Sequence, residues 1–300
     1  MEESHEPRRS LQERWQIALL LSPVFFLLIA CMALPLSVML VYSFWQTQSF
    51  SLVKELTLDN YQYVLSSSVY VTLTGKAILY GLLVTLMTMG LAFPVSYFIA
   101  RRVTYTKALW IHAVIIPLFT SDLIRYFAWR TILGSGGVLN DVLLWVGATS
   151  EPVQYLAFSP SAVVISLVHI YLPFMILAIW ASLEAIDPSL IQAAMDLGAS
   201  PYQVFRKVVL PLSLPGLVAG SLFVFVPVTG EYFGVNMMGG TTGLTITNAI
   251  NDQFTSAMDW PLGSAMSFVL LLAIGSVILL FLAVVRNLSV AHYRFGGEQA

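Results

Sequence analysis

Residues 184–211 read EAIDPSLIQAAMDLGASPYQVFRKVVLP, a polar and mixed stretch in a sequence that is apolar on both sides of it. Its punctuation decides the fold. Asp187 can cap a helix whose first residue is Pro188, where a missing N–H costs nothing. Gly198 can supply the left-handed residue that ends that helix. Ser200-Pro201-Tyr202-Gln203 has the form of a capping box, which predicts a second helix from there to Leu210. On the first helix Leu190, Ile191, Ala194 and Leu197 make one face and Ser189, Gln192 and Asp196 the other. On the second, Phe205, Val208, Val209 and Leu212 recur at helical spacing and are expected to pack back onto the flanking spans. A ten-residue helix is about 15 Å long, so the stretch is a helix–turn–helix knob between two hydrophobic spans.

Those spans follow from composition. Hydrophobic residues make up 58% of the chain and charged residues 10%, against about 45–50% and about 25% in soluble domains. This is the composition of an integral membrane protein with small loops. A spanning helix needs about 20 mostly apolar residues, and six stretches qualify: 17–44, 77–100, 108–132, 162–183, 212–232 and 263–285. The expectation is an all-α membrane protein of six transmembrane helices, with residues 1–16 and 286–300 as flanking segments. Arg8, Arg9 and Arg14 precede the first apolar run as they would in a signal peptide. The run continues past Cys31 to Phe44, too long for such a segment, so Cys31 is expected to be a buried thiol in an uncleaved span. One cysteine excludes an internal disulfide framework, and the four histidines show no metal-ligand spacing, so no metal site is expected. Nucleic acid is not an expected partner; membrane lipid is.

Orientation follows from the basic residues. Of the fourteen Lys and Arg, ten fall on one side: Arg8, Arg9 and Arg14; Arg101, Arg102 and Lys107; Arg206 and Lys207; Arg286 and Arg294. Both termini and the 184–211 stretch are therefore expected in the cytoplasm. Outward connections are expected at 46–74, 133–161 and 234–262. The first holds Leu58-Asp59-Asn60-Tyr61, the mark of a capped short helix. The second opens on Gly134-Ser135-Gly136-Gly137 and continues into an apolar segment, 138–146, too short to span and expected at the outer interface.

Charges within spans are the default functional candidates. Asp122 and Arg125 are three residues apart, so on a helix they share a face and can neutralise each other. Two readings are open: a structural ion pair, or a face that lines a passage together with Tyr126 and Trp129. Glu231, before Tyr232, ends the fifth span in Pro227-Val228-Thr229-Gly230, where Pro and Gly loosen the helix. It is either a helix-end glutamate or a carboxylate that favours a cation crossing a region of low dielectric. His169 and Pro173 are read as packing and kink features. Gly216 and Gly220, at a small-xxx-small spacing, allow close approach of another helix.

An absence is as informative. No G-x-x-x-x-G-K-[ST] occurs: Gly75-Lys76 is preceded at the required position by Tyr70. No hydrolase or redox constellation is present either, so the chain is not read as an enzyme. If ATP drives transport here, another subunit binds the nucleotide and its magnesium, and this chain carries no cofactor.

The central stretch also has a specific likeness. Gln192-Ala193-Ala194, Gly198 and Val208-Val209-Leu210-Pro211 resemble the E-A-A-x3-G-x9-I-x-L-P loop of binding-protein-dependent ABC importer permeases. Three residues separate Ala194 from Gly198 and nine separate Gly198 from Val208, with Gln in place of the first Glu and Val in place of Ile. The likeness extends over nearly the whole chain and is nearest to permeases of the spermidine/putrescine type. It is carried by Leu58-Asp59-Asn60-Tyr61, Asp122-Leu123-Ile124-Arg125, Gly137-Val138-Leu139-Asn140, Gly230-Glu231, Met238-Gly239-Gly240 and Asp259-Trp260-Pro261. Asn236 stands where those polyamine permeases tend to have an acidic residue.

The resemblance implies a type I (MetI-like) importer fold. It implies two such permeases, identical or different, forming the pathway, two ABC ATPase subunits below them, and an extracytoplasmic binding protein delivering the solute. It implies ATPase coupling through Gln192, Ala193, Ala194, Asp196, Gly198, Leu210 and Pro211. Asp122, Arg125, Tyr126, Trp129, Glu231 and Tyr232 are then candidates for the pathway. The cargo implied is a small polar cation such as spermidine or putrescine; related permeases carry thiamine, iron, opines or modified amino acids. A stand-alone secondary transporter or channel would explain the spans but not the loop spacing.

Overall fold

A computed structural model describes residues 11–48, 51–153 and 156–296; Arg8 and Arg9, counted above for orientation, lie outside the described residues. The chain forms thirteen α-helices among those residues: α1 Leu11–Ser43, α2 Asp59–Ser66, α3 Ser68–Arg101, α4 Lys107–Ile115, α5 Asp122–Leu133, α6 Val138–Trp145, α7 Pro160–Glu184, α8 Pro188–Asp196, α9 Pro201–Val204, α10 Leu210–Thr229, α11 Phe233–Met238, α12 Ile246–Thr255 and α13 Trp260–Gly296. The only departure from an all-α fold among the described residues is a small antiparallel hairpin, β1 Gln46–Gln48 and β2 Ser51–Val53, with Thr47 opposite Leu52. Five helices are long and apolar enough to span a membrane, and the number is six if the bent pair Lys107–Phe119 and Asp122–Trp145 makes one span.

Three helices, α3, α7 and α10, form the core. Lipid is as apolar as leucine, so helices in a membrane are held by close packing and hydrogen bonds more than by the hydrophobic effect. The contacts have that character. On α10, Gly216 lies against Ser182 and Ala178 of α7, and Gly220 against Met175. On α3, Gly81 lies against Phe225 and Thr229 of α10, and Ser96 Oγ donates to the Ile176 carbonyl of α7 at 2.9 Å. Val84, Leu167, Met175, Ile179 and Val224 fill the space between them with no exposed surface. Hydroxyls within these helices return their protons to the previous turn, as in Thr85 to Gly81, Ser221 to Leu217 and Thr229 to Phe225, which satisfies those donors inside the bundle.

The small-residue pair thus acts on α7, and its tolerance can be predicted. A Cβ on Gly216 would stand 2.4 Å from Ser182 Cβ and 2.6 Å from the Ala178 carbonyl oxygen, which is backbone and cannot yield. Overpacking of this kind costs about 1–3 kcal/mol. Gly216→Ala is expected to lower the thermal unfolding temperature of the detergent-purified protein. Gly90→Ala, on α3 with nothing within 4 Å, is expected not to lower it.

Outside the core, α1 and α13 run along each other with most of their surface free: Leu19, Phe26 and Met32 are 68–76% exposed. Cys31 sits on that exposed surface, contrary to the expectation of burial, because α1 meets the rest of the fold mainly along α13. At the end of α1, Asn60 donates to the carbonyls of Ser43 and Trp45, and the Tyr61 and Ser43 hydroxyls are 2.7 Å apart. The helix α2 starts at Asp59, whose N–H donates to the Thr57 hydroxyl at 3.0 Å, while its N-cap residue, Leu58, supplies no side-chain cap.

One further expectation is corrected. The stretch 108–132 is not one straight span. It breaks into α4, a 3-10 turn at Ile116–Phe119, and α5, and the two halves bend by 92°. Pro117 removes a donor from the ladder and Thr120 turns extended, so the helix must restart at Asp122. The segment 234–262, expected as an outward connection, is itself folded. It folds into α11 and α12, and Gly234, Val235, Met238, Ile246, Thr247 and Asn248 are buried. At the C-terminal end α13 runs on to Gly296, past the expected limit of the last span at Val285.

Candidate coupling loop and membrane passage

The loop between α7 and α10 forms from local interactions. Asp187 accepts the Ser189 backbone N–H at 2.8 Å, with Pro188 as the first helical residue of α8. That hydrogen bond holds the Asp187 carboxyl below the ordinary aspartate range. Its contribution is therefore complete at neutral pH and lost only as pH falls through the lowered folded-state value. Gly198 takes φ +82° and ends α8. Ser200 and Gln203 then make a full capping box at the start of α9.

From α9 the chain enters α10 without a break. Phe205–Val209 form a π-turn in which the Leu210 N–H reaches back to the Phe205 carbonyl. The wide turn lies one residue before Pro211, whose ring would clash with the carbonyl four residues earlier in a regular helix. Val204 and Val209 are buried, and Phe205 meets Phe93 and Tyr97 edge-on at 5.6 and 6.5 Å. Phe205, Val208 and Val209 therefore pack onto the spans as their spacing predicts, while Leu212, expected on the same face, is exposed.

On α8 the expected apolar face divides. Ile191 and Ala194, with Ala199 beyond the turn, pack against the core. Leu190, Met195 and Leu197 point away from it, 48%, 49% and 89% exposed. Gln192, Ala193 and Asp196 are also exposed, while Leu210 and Pro211 are half-buried at the head of α10. The periodicity was sound, but a helix this short on a surface meets its own fold along a narrow strip only.

The second candidate region lies where α5, α7, α10, α11 and α12 meet. Arg125 is buried and bridges two partners, the Asp122 carboxylate on its own helix and the Ile170 carbonyl of α7 at 3.2 Å. The ion pair lies within α5, and it is the hydrogen bond from Arg125 to Ile170 that fastens α5 to the core. Asp122 itself is largely exposed. Tyr126, one residue on, is fully buried: its ring lies flat on Gly234, where a Cβ would stand 2.6–2.8 Å from ring and hydroxyl atoms.

Glu231 is half-buried in the break between α10 and α11. One carboxylate oxygen accepts from Gly234 N at 3.0 Å, at the N-terminal end of α11, and the other from the Tyr171 hydroxyl at 3.2 Å. Its carbonyl accepts from the Thr247 hydroxyl of α12 at 2.9 Å. Among the described residues no Lys, Arg or His lies within ion-pair distance of it. Its two carboxylate oxygens are met by hydrogen-bond donors. Tyr232 turns toward α12, where its hydroxyl accepts from Asn251 Nδ2 at 3.1 Å. Trp129 instead pairs with His169 of α7, its indole N–H 3.2 Å from Nδ1.

Asp122, Arg125, Tyr126 and Glu231 thus converge, while Trp129 and Tyr232 occupy its flanks. Tyr171, Gly234, Thr247 and Asn251 were not legible as partners. Thr245-x-x-Asn248 was a visible capping signal for α12, and it does cap that helix.

Comparison with known proteins gives this architecture a family. The sequence profile of the family described as "Binding-protein-dependent transport system inner membrane component" matches residues 17–291. The spermidine/putrescine transport system permease protein PotB of Salmonella typhimurium is 38% identical over 225 residues, 75% of this chain and 78% of that protein. The inner membrane ABC transporter permease protein YdcU of Escherichia coli is 33% identical over 251 residues, 79% and 78% of the two chains. A chain of the bacterial alginate ABC transporter, solved in complex with an alginate pentasaccharide-bound periplasmic protein, superposes with a TM-score of 0.74 at 17% identity, covering 93% of this chain and 96% of that one. The chain belongs to the binding-protein-dependent transport system inner membrane component family, as a multi-pass, non-catalytic ABC importer permease that carries no cofactor of its own.

Proposed function

We propose that this permease passes a small organic cation, a polyamine of the spermidine or putrescine class, from an extracytoplasmic binding protein into the cytoplasm. The observation that carries the cargo is Glu231, a half-buried carboxylate in a helix break with hydrogen-bond donors but no cationic partner among the described residues. In a region of low dielectric a mobile cation supplies the missing charge. The likeness to PotB supports the same cargo.

In this reading the chain pairs with a second permease and two ATPase subunits. The α8 knob enters the ATPase through Leu190, Gln192, Ala193, Met195 and Leu197, the residues it turns away from its own core. Gly198 and the capped turn set the angle of the knob, and the continuous rod from α9 to α10 carries its displacement to the Glu231 break. Both termini lie in the cytoplasm with the loop, as the basic residues indicate.

The test is reconstitution of the chain with its ATPase, second permease and binding protein in liposomes, followed by uptake of labelled spermidine, putrescine, thiamine, ferric iron and an opine. ATP-dependent uptake of the two polyamines alone is expected. ATP-dependent uptake of another solute overturns the cargo but keeps the class. Flux through the isolated chain without ATP overturns the class.

A further inference from the structure

Arg101 ends α3 on the loop side of the fold, and its side chain leaves its own helix. One guanidinium nitrogen, Nη2, donates to the Leu183 carbonyl at 2.7 Å and to the Ile186 carbonyl at 3.0 Å. These are carbonyls of the last turn of α7 and of the residue just before the Asp187 cap. The end of a helix leaves carbonyls without intrahelical partners and carries partial negative charge, so a guanidinium there satisfies both demands. From the other side, Lys107 at the start of α4 reaches Glu184 at 2.6 Å. Three helices are thereby tied together within five residues of the start of α8. Arg102, the next residue, makes no such contact among the described residues and is exposed.

We infer that Arg101 is a positioning residue for coupling: it makes the α7–α8 corner move with the end of α3, so that displacement of α8 by the ATPase is delivered to two core helices at once. Without it, the α7–α8 corner reaches α3 only through the packed helices α7 and α10 and the Phe205 contact with Phe93 and Tyr97, and the end of α3 loses its hydrogen-bonded tie to the corner. Since α3 packs on both α7 and α10, a corner that moves without α3 opens the packed core incompletely. Lys107–Glu184 is an exposed pair, of the kind that contributes little by itself, so the main weight falls on Arg101. This inference rests on the proposed coupling role of the loop.

The experiment measures solute imported per ATP hydrolysed by the complete reconstituted complex carrying Arg101→Ala or Arg101→Lys, together with the yield of assembled complex. In the alanine variant the ratio is expected to fall at least tenfold while assembly and binding-protein-stimulated hydrolysis stay within twofold of wild type. In the lysine variant, whose nitrogen falls one bond short of the two carbonyls, the ratio is expected to fall about threefold. An unchanged ratio in assembled alanine complex overturns the inference. Should the alanine variant not assemble, the lysine variant decides, and a wild-type ratio there overturns it. A wild-type complex without ATP-dependent uptake would instead strike the underlying functional reading.

Discussion

Replacing Gly198 with valine is expected to reduce uptake at least tenfold while the protein is still inserted in the membrane in normal amount; asparagine at the same position is expected to keep most of the activity. The constraint at Gly198 is conformational. A Cβ on Gly198 would meet nothing within 4 Å, so volume is not the constraint. The backbone stands at φ +82°, where an L-residue pays about 1–2 kcal/mol and a β-branched one more. Asn populates that region far more readily than Val. At 1.4 kcal/mol per decade, even 2 kcal/mol shifts a turn equilibrium by more than tenfold toward arrangements in which α8 leaves its seat. That seat is small: Ile191, Ala194 and Ala199 are the side chains that hold it, so the turn angle decides whether Leu190 and Leu197 face outward together. Uptake is measured in whole cells, with membrane content quantified by immunoblot. Equal loss in the asparagine and valine variants would show that side-chain size, not backbone angle, matters, and normal uptake with valine would remove the loop from coupling altogether.

The contrast between the loop and the passage shows which parts of a membrane protein are written locally. Every stop and start in residues 184–211 depends on partners two to five positions away: Asp187 with Ser189, Ser200 with Gln203, Leu210 with Phe205. Such contacts leave their mark in the residue order, so the two helices and their boundary were legible. The passage depends on partners far apart in the chain. Tyr171 and Glu231 are 60 positions apart, and Arg125 and Ile170 are 45 apart, and no pattern within a window reports them. The break in the third crossing is an intermediate case. Averaging hydrophobicity over residues 108–132 conceals it, yet Pro117 and the Ser121-Asp122 helix start were visible to a reading of caps. The helices inside the third outward connection were not legible for a physical reason. Its uncharged Gly, Thr and Asn serve close packing against residues far away in the chain: Gly234 admits the Tyr126 ring, and Thr247 hydrogen bonds to the Glu231 carbonyl.

Glu231→Gln is the second substitution expected to have a large effect, and it separates charge from scaffold. The amide oxygen can still accept from Gly234 N, and the amide nitrogen can donate to the Tyr171 hydroxyl, so the hydrogen bonds that hold the α10–α11 break survive with their lengths little changed. Only the charge is removed. A cation about 4 Å from a carboxylate gains about 1 kcal/mol in water and about 4 kcal/mol at the effective dielectric of a partly buried site. Loss of that attraction is expected to lower uptake of a polyamine at least tenfold, with assembly and binding-protein-stimulated ATP hydrolysis unchanged. Glu231→Leu is expected to differ in kind: it also strips the partners from Gly234 N and the Tyr171 hydroxyl, leaving polar groups unpaired at about 1–3 kcal/mol each, and should lower the amount of folded protein as well. The decisive measurement is the concentration dependence of uptake in reconstituted liposomes, comparing wild type and Glu231→Gln for a dication and for its neutral N-acetylated analogue. A loss confined to the dication identifies the carboxylate with passage of positive charge. Equal losses for both solutes, accompanied by reduced assembly, would assign Glu231 to the scaffold of the helix break and leave the cargo without a recognition element in this subunit.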